Sequence, residues 1–371
     1  MAEKTEIWYL IGGLRVGGTG KTLVQLANNL PPEKYDVRLF TITDDVPLSE
    51  EIDPHITFDC LDARGKLDFA TAKSFIQAVR RGQPDILQSF LFFDNNLARI
   101  TGLVSSDTVT ISGVRSVPDD RKLYRSLIDD ATLPLADHVV SNSKAGAEWV
   151  KDRGVSAENV SVIYNGRKIS KYAAASAPDS LYRELDIDSG PVIGTVGRLI
   201  ERKGHYDLLN AWPDVIERYP DATLLIVGDG PEWDGLHQRV KELNCANSVR
   251  FAGMRDDVPQ LLKMMDIFVF PSHFEGLPGA LLEAMAAKRA IITTSVDGNS
   301  ELVDSESGIF AQPKAPKELS TQLVRLLDSP DTREDISEAA HSRAVEKFSL
   351  DSMVTRFNDL YQRLQNEGEA V

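Results

Sequence analysis

The feature that most restricts the fold of this chain is the regular alternation of short apolar runs with amphipathic helical stretches. The runs are IWYLIG, DVRLFTIT, ITFDCLD, DILQSF, TVTISGV, HVVSNS and VSVIYNG, then PVIGTVG, TLLIVGDG, VRFAGM, IFVFPS, AIITTS and SGIFAQP. Helical stretches such as residues 69–82 and 205–219 fall between them. Strands joined by crossover helices form parallel sheets that are covered on both faces. The pattern predicts an α/β protein built on doubly wound sheets.

The length of the chain predicts two domains, because 371 residues exceed what one ordinary core organises. Residues 167–190, which separate the two sets of strands, are rich in Ala, Ser, Asp and Pro. Such a composition is typical of a linker. We therefore predict two α/β domains of similar size, with ligands bound beyond the carboxyl ends of the strands.

Composition excludes several classes of function. Hydrophobic residues make up 42% of the chain and charged residues 26%, as in a soluble globular protein. The net charge of −15 argues against non-specific binding of nucleic acid, and it suits an acidic cytoplasmic enzyme as well as a protein from a high-salt organism. Cys60 and Cys245 are isolated in sequence, which indicates neither a disulfide framework nor a zinc site. With no signal-peptide pattern and no apolar run near about 18 residues, we expect a cytoplasmic protein.

The most informative stretch is FVFPSHFEGLPGALLEAMAAKRAIITT, residues 268–294, which indicates a strand, a loop, a helix and a strand. Glu283 lies in a helix that is apolar nearly all round, so its carboxylate needs a partner, such as the hydroxyls of a sugar. Glu275 precedes it by eight residues, or about 12 Å if helical. The two carboxylates are thus predicted to hold opposite ends of one extended ligand. The alternative is a capping glutamate and a solvated one.

A second stretch, TVGRLIERKGHYDLLNA at residues 195–211, places Arg198 and Lys203 between a strand and a helix. Arginine offers a planar fork of donors and lysine a compact charge, so together they suit a diphosphate. Two basic residues in a loop can equally be solvated. Their position after the first strand of a domain favours the binding role.

The loop GGLRVGGTGKT, residues 12–22, resembles a P-loop without matching its register. A P-loop requires G-x-x-x-x-G-K-[ST] so that backbone N–H groups and the lysine surround the phosphates. Counting back from Gly20 reaches Arg15, and the other glycine pairing puts Thr19 where lysine should stand. The strand ending in Gly228 and Asp229 also lacks the spacing of a Walker B acid. An ATP-binding enzyme that uses this loop, with Lys21 on the phosphates, therefore remains the alternative reading.

Taken in order, GRLIERKG, IVGDGP, VRFAG and PSHFEGLPGALLEAMA resemble the retaining GT-B glycosyltransferases of family four, the glycosyl transferases group 1. The resemblance covers nearly the whole chain, and the Glu-x7-Glu element is its most specific part. It implies two Rossmann-like domains facing a cleft. Residues 1–168 would bind the acceptor, with a C-terminal helix at 350–368 packing back on them, and residues 169–349 would bind the nucleotide-sugar donor.

The resemblance also implies roles for single residues. Arg198 and Lys203 would neutralise the departing diphosphate, and Glu275 would hold the transferred sugar. Glu283 would bind the ribose. The donor-binding residues implied are Gly17, Gly18, Gly197, Gly276, Leu277 and Glu283. Transfer would proceed on one face of the sugar, with the leaving diphosphate helping to deprotonate the acceptor hydroxyl and with no metal or other cofactor required.

The acceptor side departs from the family pattern, since Gln88 and Phe90 stand where polar residues or histidines are common. The expected acceptor is a sugar, a lipid-linked glycan or another hydroxyl compound used for surface polysaccharides or glycoconjugates. Residues 115–138 mix basic and apolar side chains, which could bring the protein to the inner face of a membrane. The alternatives are an ordinary surface helix here and, for the whole chain, a non-catalytic sugar-nucleotide binder.

Overall fold

The structure, a computed structural model, describes residues 4–63, 68–105, 107–115 and 123–368. The chain divides into two units, Met1–Gly166 with Leu350–Val371 and Arg167–Ser349. Of the basic segment predicted at 115–138, residues 116–122 lie outside the described part. Each run that the sequence analysis marked as a strand forms one, so the predicted α/β architecture is confirmed.

Within the described residues, the first unit is built on a seven-stranded parallel sheet in the order β3-β2-β1-β4-β5-β6-β7. The strands are β1 (Thr5–Ile11), β2 (Tyr35–Thr41), β3 (Thr57–Cys60), β4 (Ile86–Ser89), β5 (Val109–Val114), β6 (His138–Ser141) and β7 (Val160–Val162). The helices that precede the second unit are α1 (Gly18–Asn29), α2 (Phe69–Gly82), α3 (Phe92–Gly102), α4 (Leu123–Thr132) and α5 (Lys144–Lys151). The strand order reverses between β1 and β4, which makes that point the switch point of the sheet.

The second unit repeats the design with a parallel sheet in the order β10-β9-β8-β11-β12-β13. Its strands are β8 (Val192–Val196), β9 (Thr223–Val227), β10 (Val249–Gly253), β11 (Ile267–Phe270), β12 (Ala290–Thr294) and β13 (Ile309–Ala311). Its helices are α6 (Ile169–Ala173), α7 (Asp179–Glu184), α8 (His205–Arg218), α9 (Trp233–Glu242), α10 (Val258–Met264), α11 (Gly279–Ala286), α12 (Asp297–Leu302), α13 (Pro316–Leu327) and α14 (Pro330–Phe348). Here the order reverses between β8 and β11.

The segment predicted as a linker is folded. It contains α6 and α7, and the side chains of Ile169, Tyr172 and Leu181 are buried. Each of these helices has only one or two turns, which is too short to show helical periodicity within a segment rich in Ala and Pro. The segment is thus part of the second unit.

The last helix, α15 (Leu350–Gly368), packs on the first unit. Its buried face joins the core around β1 through side chains at near-helical spacing, namely Met353, Phe357, Leu360, Tyr361 and Leu364. The Tyr361 hydroxyl donates to Gln88 Oε1 at 2.5 Å and lies 2.9 Å from the Tyr9 hydroxyl. Burying such an apolar face, with its polar atoms bonded, fixes the helix on the sheet.

Candidate active site

The predicted catalytic residues of the second unit gather where its strand order reverses. β8 and β11 are neighbours in the sheet, with Ile193 paired to Ile267. Lys203 lies in the 3₁₀ turn Glu201–Lys203 that follows β8, and Glu275 lies in the loop after β11. Because the carboxyl ends of parallel strands meet at one edge, residues far apart in sequence come together here.

Lys203 and Glu275 form an ion pair, with Lys203 Nζ 2.5 Å from Glu275 Oε1. Their side chains are 15% and 7% exposed. Arg202 Nη1 lies 3.9 Å from the other carboxylate oxygen, and the ring of Phe270 lies 4.9 Å from Lys203 Nζ. The sequence predicted both charged groups but not that they contact each other. The pair holds a cation and an anion side by side in a mostly buried place.

The carboxylate of Glu283 has a partner, as the sequence analysis required, and this partner is a side chain of the protein itself. It projects from α11, where Leu281, Leu282, Ala284, Met285 and Ala286 are buried as predicted. Its Oε1 lies 3.6 Å from Arg167 Nε, and its charge acts on the Tyr172 hydroxyl. Burial, and next the Glu283 charge, raise the pKa of the Tyr172 hydroxyl well above its ordinary value.

Arg167 and Tyr172 are thus residues of this region that sequence reasoning missed. The one feature of the sequence that could have pointed to them is the VIYNG run, which Arg167 follows directly and Tyr172 follows within two helical turns. Asp207 is a third, because its Oδ2 lies 2.6 Å from His273 Nε2. His273 stands in the loop that also carries Glu275, so α8 and this loop are tied together by that contact.

Arg198 and Gly197 follow β8 directly. Arg198 is exposed, as a residue that meets a soluble ligand would be. Gly197 donates its N–H to Val227, and a Cβ added to it would meet nothing within 4 Å. Gly228, opposite, has φ 137°, and a Cβ there would lie 1.9 Å from the Gly197 carbonyl oxygen. Gly228 is therefore required by packing, whereas Gly197 is not.

Gly276 and Leu277 form the turn between Glu275 and α11. Their backbone N–H groups make no hydrogen bond to other residues that the structure describes. On the opposite side, the Gly276 carbonyl oxygen packs against Gly298 of α12, where a Cβ would lie 2.0 Å away. The carbonyl side of the turn therefore packs against α12, and its two backbone N–H groups are left to donate to a ligand.

In the first unit, Gly17 is the residue before α1 and Gly18 is its first residue, at the switch point between β1 and β4. A Cβ added to either would meet nothing within 4 Å. The first N–H groups of a helix have no partner within it, so this end suits an anion. Lys21 lies in the first turn of α1 and is exposed.

Gln88 and Phe90, which depart from the family pattern, are both buried. Gln88 lies in β4 and accepts from Tyr361, so it ties α15 to the sheet. Asp94, just beyond, caps α3 through the Leu91 N–H at 2.8 Å, and burial raises its pKa to about 6. The end of β4 is a packed, polar region.

Neither a metal cluster nor a membrane span emerges from the described part of the chain. Groups of three or more His, Cys, Asp or Glu side chains suited to a metal ion are absent there. The helices it contains are too short or too polar to cross a bilayer.

Two family models match the chain. The one described as "Glycosyltransferase Family 4" matches residues 16–171, and the one described as "Glycosyl transferases group 1" matches residues 190–329. The Anabaena protein HepE, solved in complex with UDP, superposes with a TM-score of 0.84 at 22% identity, over 97% of this chain and all of that one. At this identity the likeness shows the fold, which is GT-B.

Curated relatives include a lipopolysaccharide core biosynthesis glycosyltransferase, LpsE, of Rhizobium meliloti, 29% identical over 60% of this chain. The match spans 64% of LpsE and about half of several other relatives. A longer match, 25% identical over 93% of this chain and 94% of the relative, is to the Escherichia coli UDP-Gal:alpha-D-GlcNAc-diphosphoundecaprenol alpha-1,3-galactosyltransferase.

Proposed function

The chain belongs to the family 4 glycosyltransferases (glycosyl transferases group 1), and on that premise we propose that it moves a sugar from a nucleoside-diphosphate sugar to an acceptor hydroxyl. The observation that carries the proposal is the mostly buried Lys203–Glu275 pair at the switch point of the second sheet. Glu283 follows on the buried helix α11. Cations for a diphosphate and carboxylates for hydroxyls are what a sugar nucleotide requires.

In the proposed reaction, the bond between the anomeric carbon and the diphosphate breaks and a bond to the acceptor oxygen forms on the same face. The acceptor proton passes to the leaving diphosphate. Lys203 and Arg198 offset the charge that develops on that diphosphate. Glu275 and the amides of Gly276 and Leu277 position the sugar, and the scheme requires no divalent metal.

Glu283 is proposed to hold the ribose while it remains paired with Arg167 and close to Tyr172. A carboxylate accepts several hydrogen bonds, so these partners orient it rather than exclude a hydroxyl pair. At the first unit, the amides of Gly17 and Gly18 are proposed to donate to the diphosphate.

The acceptor is proposed to be a glycan or a lipid-linked sugar used in surface polysaccharide or glycoconjugate synthesis. The support is the printed function of relatives: LpsE acts in lipopolysaccharide core synthesis, and the E. coli relative acts on a diphosphoundecaprenol-linked sugar. Because such acceptors lie in a membrane, the proposal includes peripheral contact with it.

An exposed apolar surface on two contacting helices of the first unit supports this contact. Leu103 directly after α3 is 65% exposed, and Leu127 on α4 is 60% exposed. Other exposed apolar side chains on or beside these helices are Leu91, Ile100, Val104, Tyr124 and Ile128. Exposed apolar patches of this kind mark interaction sites.

Flotation with liposomes tests the membrane proposal. The wild type should float with anionic liposomes, and Leu103→Asp with Leu127→Asp should abolish flotation. Met254→Asp, at a still more exposed apolar residue of the second unit, should not. Equal flotation of all three proteins, or none by the wild type, would refute the contact.

Nucleotide binding tests the main proposal. We would measure the melting temperature with UDP, GDP, ADP and Mg-ATP for the wild type, Gly197→Ala and Lys21→Met. One diphosphate should stabilise the wild type and Lys21→Met, whereas Gly197→Ala should fold normally and respond weakly. Gly228→Ala is the packing control, and it should melt early without ligand because its Cβ has no room.

Stabilisation by Mg-ATP alone, lost in Lys21→Met, would replace the proposal with the P-loop alternative. The non-catalytic alternative makes a different prediction. The protein would then bind a sugar nucleotide but release no nucleoside diphosphate when acceptors extracted from membranes are added. For an active protein, NMR of the product's anomeric proton tests retention, and unchanged turnover in EDTA tests the absence of a metal requirement.

A further inference from the structure

Arg115 stands at the carboxyl end of β5, one strand from the switch point of the first sheet. Its guanidinium lies over the ring of Phe90, with its carbon 4.9 Å from the centroid, and Nη1 donates to Asn165 Oδ1 at 2.8 Å. It also interacts electrostatically with the Tyr361 hydroxyl. The side chain is therefore in contact with residues that follow β4 and β7 and with a residue of α15.

The other guanidinium donors of Arg115 lack protein acceptors. Within the described residues, Nε and Nη2 are buried and form no hydrogen bond, and no carboxylate pairs with the cation. Gln88 Nε2, whose amide also contacts Tyr361, is a further buried donor with no partner among those residues. These three orphaned atoms are donors, which together favour a ligand that accepts. Asn142, whose N–H donates to the Val114 carbonyl, adds one buried acceptor without a partner among the described residues, its Oδ1.

Arg99 is a fully buried arginine of this unit whose contacts are all with protein, so it serves as the comparison for Arg115. Its Nε donates to Ser112 Oγ at 3.0 Å, and its Nη1 lies 3.1 Å from Asp129 Oδ1. Burial lowers the pKa of both arginines to about 10, so both stay charged near neutral pH. A buried cation without a counter-charge is costly unless it serves a ligand.

We propose that Arg115 binds an oxyanion carried by a substrate, a carboxylate or a phosphate, and so selects an anionic substrate. The proposal rests on the proposed function, since it names the chemistry of the substrate. The planar fork of an arginine matches both oxyanions bidentately, and Gln88 offers a third donor. The carboxylate would come from a uronic-acid sugar, and the phosphate from an acceptor.

The test is NMR of protein labelled with ¹⁵N-arginine, with the Arg115 Nε–H signal assigned by its absence in Arg115→Met. Sodium glucuronate, sodium phosphate and neutral glucose are titrated at constant ionic strength. We expect the Arg115 signal to shift saturably with one anion and not with glucose, while the Arg99 signal stays fixed. Saturation by glucuronate identifies a uronate sugar, and saturation by phosphate identifies a phosphorylated acceptor.

Thermal melting of the matched variants separates binding from a structural role. Arg115→Met should melt at or above the wild-type temperature and lose the anion response, because it removes an uncompensated charge. Arg99→Met should melt several degrees lower, since it takes a partner from buried Asp129. A lowered melting temperature for Arg115→Met, with no saturable shift for either anion, would overturn the proposal.

This test stands apart from that of the proposed function. If the nucleotide panel fails while the Arg115 signal saturates, the anion site stands and the glycosyl-transfer proposal falls. If nucleotides bind while the Arg115 signal moves with neither anion, the reverse holds.

Discussion

The Lys203–Glu275 pair allows the sharpest test of the proposed donor site. Both side chains are mostly buried, and the charged atoms are 2.5 Å apart. We consider Lys203→Met and Glu275→Gln, singly and together, with Arg202→Met as the control. Arg202 carries the same charge, but it lies 3.9 Å from the carboxylate and is half exposed.

The magnitude follows from the geometry. Two unit charges at this separation attract by about 7 kcal/mol at an effective dielectric constant of about 20, before desolvation is subtracted. Removing one member of a buried pair costs about 3–5 kcal/mol, because the other charge stays behind. Removing both should cost about 2 kcal/mol less than the sum of the single changes. Arg202→Met should cost less than about 1 kcal/mol.

The assay must report on the second unit alone, because one unfolding free energy is not defined for a chain of two units. Native-state hydrogen exchange resolved to peptides meets this need. Peptides from β8 and β11 should show the changes, and peptides from β1 and β4 serve as the internal reference. Each variant is measured with and without the nucleoside diphosphate that stabilises the wild type.

Two results would refute the reasoning. If the single costs simply add, the two charges do not stabilise each other and the contact has no energetic role. If the diphosphate protects Lys203→Met as strongly as the wild type, Lys203 does not bind the diphosphate, and the mechanism loses its main cation.

Three further predictions concern the rest of the chain. Tyr361→Phe should lower the stability of the first unit by about 1–3 kcal/mol, because Gln88 Oε1 and the Tyr9 hydroxyl lose a buried partner. Hydrogen exchange in peptides from β1 and β4 should become faster, and unchanged exchange there would contradict this. Burial, and next the Lys203 charge, lower the pKa of His205 to about 4, so the folded second unit binds fewer protons than the unfolded one and loses up to about 3 kcal/mol of stability as pH falls from 6.5 to 4. His205→Asn should flatten this loss of stability, measured by hydrogen exchange, and a slope equal to that of the wild type would contradict the prediction. In the first unit, burial lowers the pKa of His138 to about 4 and raises that of Asp94 to about 6, so acid removes stability through His138 and restores it through Asp94; Asp94→Asn should therefore steepen the acid decline of that unit, and a slope equal to the wild type would argue against it.

The sheets could be predicted from sequence because the apolar composition of each strand indicates by itself that the strand is buried. Runs such as IWYLI in β1 and IFVF in β11 are apolar throughout and only four to five residues long, which is typical of a strand covered on both faces. The helices α6 and α7 were missed because one or two turns carry too little periodicity to stand out from an Ala-rich and Pro-containing segment.

The partners of the site residues could not be predicted in the same way. Glu283 required a partner, yet nothing in its neighbourhood of the sequence identified Arg167 or Tyr172. The same holds for Gln88 and Tyr361, which meet because α15 returns to the first unit from the other end of the chain. Contacts of this kind depend on the order of strands in the sheet, which local patterns do not encode.

The glycines show most directly what packing adds to a motif. Gly197 and Gly228 both follow a strand and both belong to matched motifs, so the sequence treats them alike. In the structure, a side chain at Gly228 would collide with the backbone, whereas one at Gly197 would meet nothing. Packing therefore explains why residue 228 is a glycine, but no contact within the protein explains why residue 197 is one. We therefore keep Gly197 in the proposed donor site, where a glycine lets a ligand pass close to the backbone at a strand end.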